Sequence, residues 1–417
     1  MISRLLYQKK REQRWWRYLQ LRAAYQAAQQ ASDPASRLCA CFRKLGYDEP
    51  SSDLKDVWAQ WVNFGSLLAP KLETSEATAL ENRIVSLDGR QLPVLAWLDL
   101  YRLAIGVGVY GPANALRNKA ITRAASVVES TSKGNLSAQE VALGFYCNLE
   151  LGRFSEADIL LRDMGTGGLP AEQVGHARWF LSLYKGDLAT SEDGPLDKEF
   201  ESYLRGQRVA IVGPVKSHAC QGTEIDAHDR VVKFSYQGGE KGRDALTQGQ
   251  RIDVSYYNNT QSQRLAESGY SNVLEQLSWI VCINRKGRSR FPSHERKIRQ
   301  IYSLQWMLPD THFNAGPNAF IDILRCQPAG IKVFNTDLML SAGRYAGYRK
   351  PGAKDIDYTR SFIKTHDPIL QYVTIHRLWS LGYLEGDARF EEVMGLGLTG
   401  YLARLQRVHG AHDQALL

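Results

Sequence analysis

Residues 208–235, RVAIVGPVKSHACQGTEIDAHDRVVKFS, decide the fold. They hold two short apolar runs, RVAIVG at 208–213 and RVVKFS at 230–235. Runs of this length, bounded by turn residues, predict buried strands, and the first ends at Gly213, where a strand hands over to a loop. Between them GTEIDAHD crowds Glu224, Asp226, His228 and Asp229 into positions 222–229. Read alone, the cluster suggests a catalytic group, a metal site or a connector. Hard-cation loops want alternating oxygen ligands with a turn glycine, and zinc favours His and Cys sets. One His and three carboxylates without a second cluster fit neither well. Pro214 follows Gly213, so the G-x-G-x-x-G dinucleotide fingerprint is absent.

Downstream, RIDVSYYN (251–258), LSWIVCIN (277–284) and GIKVFNT (330–336) are further strand candidates, alternating with helical stretches such as PNAFIDILRC (317–326). That alternation predicts an α/β domain with a mainly parallel sheet over residues 200–417. In such sheets ligands gather at the carboxyl ends of the strands. Upstream, residues 1–195 read as all-α. Ser137-Ala-Gln-Glu140 is a capping-box pattern opening a helix. The settings of Gly152 (LGRFSEA) and Gly186 (KGDLATS) recur at a spacing of 34 residues, as in tetratricopeptide-like helical hairpins. SEDGPLDKE (191–199) is polar and turn-rich, the composition of a linker.

The net charge of +8 and pI near 9.0 favour an anionic partner. The basic runs RKGRSR (285–290) and HERKIRQ (294–300) come with no nucleic-acid-binding signature, so they read as solvated surface and nucleic acid is not an expected partner. No apolar run is long enough to span a membrane, and the first residues lack the apolar core of a secretory signal. The six cysteines form no disulfide framework or zinc pattern, which points to a reducing, cytoplasmic compartment. The first segment mixes basic residues with Trp15, Trp16, Tyr18 and Leu19. It suits either peripheral contact with an anionic membrane or, preferably, packing on its own domain.

Taken together, four stretches resemble the motifs of the eukaryotic-type sialyltransferases. The long sialyl motif has a strand ending near Gly, then Gly-x-Glu-Ile-Asp-x-His-Asp-x-Val-x-Arg-x-Asn. Here Glu224, Ile225, Asp226, His228, Asp229 and Val231 match, Lys233 replaces the Arg and Ser235 the Asn. GQRIDVSYYNN, in which Asn258 ends the run, is similar to the next strand. FNAGPNAFIDILRCQPAGIKVFNTD (313–337) resembles the short motif, with Asn314, Ala315 and Gly316 at its turn. THDPILQYVTIHRLWSLG (365–382) resembles the last motif, where His366 matches and Gln371 stands in place of a Glu. The resemblance does not cover the helical half.

The resemblance implies a GT-A-like variant fold and inverting, metal-independent transfer of a 3-deoxy-ulosonic acid from a CMP-sugar to a glycan hydroxyl, with no cofactor. His366 would be the base. Gly213, Pro214, Ser235, Asn258, Asn314, Ala315 and Gly316 would hold the donor, with Tyr348 or Tyr345 as the aromatic group. Family members of the secretory pathway link the long and short motifs by a disulfide. Cys326 is near one position, but Val209 occupies the other, so Cys326 reads as a small core residue and the chain as a cytoplasmic relative of the kind used in bacterial surface-glycan assembly. Kdo is preferred over sialic acid as the sugar. The alternative is a lapsed enzyme that binds CMP-sugar or glycan while its helical half recruits partners. Under this reading the GTEIDAHD cluster is a connector.

Overall fold

The computed structural model describes residues 13–64, 74–130, 136–188, 195–239, 244–341, 344 and 358–410. The chain is a mixed α/β protein in which helices precede a seven-stranded sheet. The strands are β1 (Arg208–Val212), β2 (Arg230–Phe234), β3 (Val254–Tyr257), β4 (Trp279–Cys282), β5 (Ile298–Gln300), β6 (Gly330–Phe334) and β7 (Glu385–Gly386). They lie in the order β5-β4-β3-β2-β1-β6-β7, with every neighbouring pair parallel. Central β1 pairs Val209 with Arg230 on one side and with Ile331 on the other. Strand order therefore reverses beside β1, and a crevice opens there at the carboxyl ends of β1 and β6.

Side chains alternate across the sheet, as the pleat requires. Val209, Ile211, Val232, Tyr256, Val281 and Val333 join one large apolar cluster that runs on through the helical half to Tyr18, Trp58 and Trp97. Ala210, Val212, Val231 and Phe334 face the other way, onto Ile225. Fully burying one such aliphatic side chain stabilises by roughly 1.5–3 kcal/mol. The apolar core on the Val209 face of the sheet is thus continuous with that of the helical half.

The connector reading of GTEIDAHD agrees with the contacts of each side chain. Residues Gly222–Asp226 form a short helix, and a Cβ on Gly222 would lie 1.8 Å from the Ala245 carbonyl oxygen. Asp226 accepts from the Gln250 and Arg251 amides at 2.8 and 2.9 Å. Asp229 accepts from the Arg208 amide at 2.9 Å, Glu224 pairs with Lys332, and His228 Nδ1 faces the Glu224 carbonyl at 2.9 Å. These contacts fasten the helix between β1 and β2 to its neighbours. Among the described residues, no three His, Cys, Asp or Glu side chains are grouped to hold a metal.

Two expectations change. HERKIRQ is not all solvated surface: it contains β5, and Arg299 is 3% exposed. Its guanidinium meets Asp322 at 2.6 Å and Asp197 at 3.0 Å, and two carboxylates offset the cost of burying one cation. Asp197 in turn belongs to the helix Pro195–Leu204, so the second part of the expected linker is structured; residues 191–194 lie outside the described residues. β7 is also a strand that no sequence pattern indicates.

Other readings agree. Ser137 and Glu140 form the capping box. Gly152 and Gly186 follow the helices Ala138–Glu150 and Ala171–Lys185 with φ of 72° and 93°, backbone that favours glycine. Trp15, Trp16 and Leu19 pack on the apolar cluster, while residues 1–12 lie outside the described residues. Cys326 is buried, and no helix of the described residues is long and apolar enough to cross a membrane.

Candidate active site

The crevice at the carboxyl ends of β1, β3, β4 and β6 is a cleft of about 530 Å³, within the range of small-ligand sites. Gly213, Pro214, Asn258, Asn314, Ala315, Gly316 and His366, from four separate stretches of sequence, line it together. Ser235 does not line it; Phe234 does. The Ser235 main chain turns away from β2 at φ 57°, and its hydroxyl is buried without a hydrogen-bond partner among the described residues. Tyr345 and Tyr348 lie outside the described residues.

Gly213 is required by close approach. Its N–H donates to the Phe334 carbonyl at 2.7 Å, and an added Cβ would lie 2.2 Å from Thr336 Oγ1. Asn258 caps the helix Asn259–Ser268 reciprocally with Gln261, at 2.9 Å in both directions. Its side chain is therefore committed to the helix, although the residue borders the cleft. Asn314 behaves differently. It occupies the N-cap of the helix Ala315–Leu324 but makes no side-chain cap bond, so the first-turn N–H groups of Ala315 and Gly316 have no cap acceptor. A helix start of this kind attracts anions. Gly316 has open space around it, the nearest atom to an added Cβ being 4.0 Å away.

His366 lies between the helices Tyr358–Lys364 and Pro368–Ser380. Its Nδ1 faces the His312 carbonyl oxygen at 3.1 Å. A carbonyl can only accept, so the proton sits on Nδ1 and Nε2 carries the basic lone pair. The Gln371 amide donates to the same carbonyl at 3.2 Å and accepts from the Asn314 N–H at 2.9 Å. Gln371 thus ties the His312 carbonyl to the start of the helix at Ala315. Burial, aided by His312 and Arg14, pushes His366 down to about 3. Both imidazoles are neutral near pH 7, since burial and then Arg14 push His312 down to about 4.

His312 is a second cleft-lining imidazole that sequence patterns do not single out. Its ring meets that of His366 edge to face at 4.6 Å, and its Nδ1 is buried without a hydrogen-bond partner among the described residues. Asp337 is another. It is 3% exposed, and burial pushes its carboxyl above the usual range. The loop after β6 also holds Asn335, Leu338 and Met339 at φ of 51°, 46° and 73°. Strained non-glycine backbone clusters at functional sites, and here Thr336 to Met339 form one wall of the cleft. No family model matches the chain, and no curated protein matches it.

Proposed function

We propose that the chain is an inverting, metal-independent glycosyltransferase that moves a 3-deoxy-ulosonic acid, Kdo before sialic acid, from a CMP-sugar to a glycan hydroxyl. One observation carries this reading: stretches singled out by the sialyltransferase resemblance converge on one cleft at the strand ends. On this reading the sheet half is a GT-A-like variant and the helical half is tetratricopeptide-like. The enzyme works in the cytoplasm, peripheral to an anionic inner membrane where lipid-linked acceptors are made.

The chemistry follows from the groups present. The acceptor oxygen attacks the anomeric carbon, the bond from that carbon to the phosphate oxygen breaks, and CMP leaves with the electron pair. His366 Nε2 takes the hydroxyl proton. The N–H groups of Ala315 and Gly316 receive the phosphate charge. A bound anion also favours the protonated imidazole, which moves His366 back towards the range useful for a base. Gly213 and Pro214 lie along the donor.

The test is CMP release by the purified chain from CMP-Kdo and CMP-sialic acid, with a CMP-induced thermal shift. Release with a shift is expected, and Kdo should be the better donor. Absence of both would sink the proposal. A shift without release from either donor favours the lapsed module, a reading for which Gln371 in place of the carboxylate speaks. His366→Ala should abolish transfer while the CMP shift persists.

A further inference from the structure

We infer that Arg117 of the helical half is a positioning residue for the catalytic imidazole, making that half a working part of the active site. The inference rests on His366 as the base. The residues on either side of His366 are held in place. Thr311 Oγ1 donates to the Thr365 carbonyl at 3.0 Å and accepts from the Asp367 N–H at 3.0 Å. Asp367 caps its helix through the Ile369 and Leu370 amides at 2.9 and 3.1 Å. Its carboxylate is 4% exposed and is held from the first half of the chain. The Tyr101 hydroxyl donates to Oδ1 at 2.7 Å, and Arg117 Nε donates to Oδ2.

Arg117 is itself fully buried, and its remaining nitrogens grip Glu150, one at 2.9 Å. Tyr101, Arg117 and Glu150 come from three helices, Val94–Val107, Tyr110–Ser130 and Ala138–Glu150. They converge on the residue next to His366. The His312 loop is secured in the same way. Asp310 accepts from Arg14 at 3.0 Å and Arg17 at 2.9 Å, and pairs with Arg102 at 2.8 Å. Both imidazole-bearing loops of the sheet half are therefore fixed by side chains of the helical half. A planar guanidinium meeting two carboxylates sets an orientation that an ammonium cannot reproduce.

The experiment uses the full chain labelled with ¹⁵N-histidine, in the variants Arg117→Lys and Tyr101→Phe. Tyr101→Phe removes one hydroxyl and keeps every charge, so it decides the matter should Arg117→Lys fail to fold. We expect the His366 imidazole resonances to move in folded variants whose CMP-induced thermal shift is unchanged. With donor and acceptor, kcat should fall by roughly 10- to 100-fold while the donor KM stays within about twofold. Unmoved His366 resonances, or equal losses of kcat and CMP binding, would overturn the inference. A wild-type chain that turns over neither donor removes the glycosyltransferase reading, whereas the resonances still report whether Arg117 and Tyr101 position His366.

Discussion

At the scale of single residues, the cleft depends on two neutral histidines and two glycines with opposite surroundings. His366 and His312 are pushed to about 3 and about 4, against about 6.5 in an unfolded chain. Between those values the unfolded chain binds protons that the folded chain does not. The stability these groups leave intact is therefore complete above about pH 6.5 and is lost as the pH falls towards 4. The melting temperature should drop between pH 7 and 4.5, and less steeply in His312→Gln; parallel slopes would remove His312 as a source. Gly213→Ala drives a methyl into Thr336 and the Asn335 carbonyl, 2.2 and 2.4 Å away. It should cost about 1–3 kcal/mol in denaturant unfolding and, under the proposed function, weaken CMP binding. Gly316→Ala meets nothing nearer than 4.0 Å. Stability should change by less than about 0.5 kcal/mol, whereas under the proposed function CMP affinity should fall in titration calorimetry, because Gly316 lines the cleft.

At the scale of elements, Gln371 couples two helix starts. Its amide nitrogen donates to the His312 carbonyl and its oxygen accepts from the Asn314 N–H. Gln371→Glu places a carboxylate where the sialyltransferase motif that this stretch resembles has one, but sets an acceptor against that carbonyl. It should destabilise by about 1–3 kcal/mol in chemical denaturation and, under the proposed function, reduce CMP release; faster release would overturn this role for the glutamine. The five long strand candidates were legible because β-branched runs ended in turn residues. β5 was not, because it is three residues long and lies in a basic run whose Arg299 is paired with Asp197 and Asp322, 102 and 23 positions away. The motif stretches found most of the cleft wall, whereas Ser235 occupied a matching position and still turned its hydroxyl away. His312 had no legible signal, since its role comes from a ring contact across 54 positions. Nor did any pattern join Arg117 to Asp367.

At the scale of the whole molecule, the sequence reads as a helical half and a sheet half joined by a polar segment, yet one apolar cluster runs through both. The charged groups that fix the cleft loops cross the same boundary. Residues 195–417 produced alone should be aggregated or lack near-ultraviolet circular dichroism. Co-expressed chains divided after residue 190 should copurify and, under the proposed function, bind CMP; a cooperative melt from the sheet half alone would refute this.

The pairing of β1 has a consequence for synthesis. Arg208 lies beside Gly330 in the register, so the central strand cannot gain its second neighbour until more than a hundred further residues have been made. At elongation rates of about 5–20 residues per second that wait is roughly 6–24 s. Throughout it, the helices already made lack the part of the shared apolar cluster that the second half supplies. Parallel pairings between distant segments also form slowly once their parts exist. The nascent chain is thus exposed to aggregation for the longest time at the strand on which the cleft is built, and its yield should respond to chaperone supply and translation speed more than its final stability suggests.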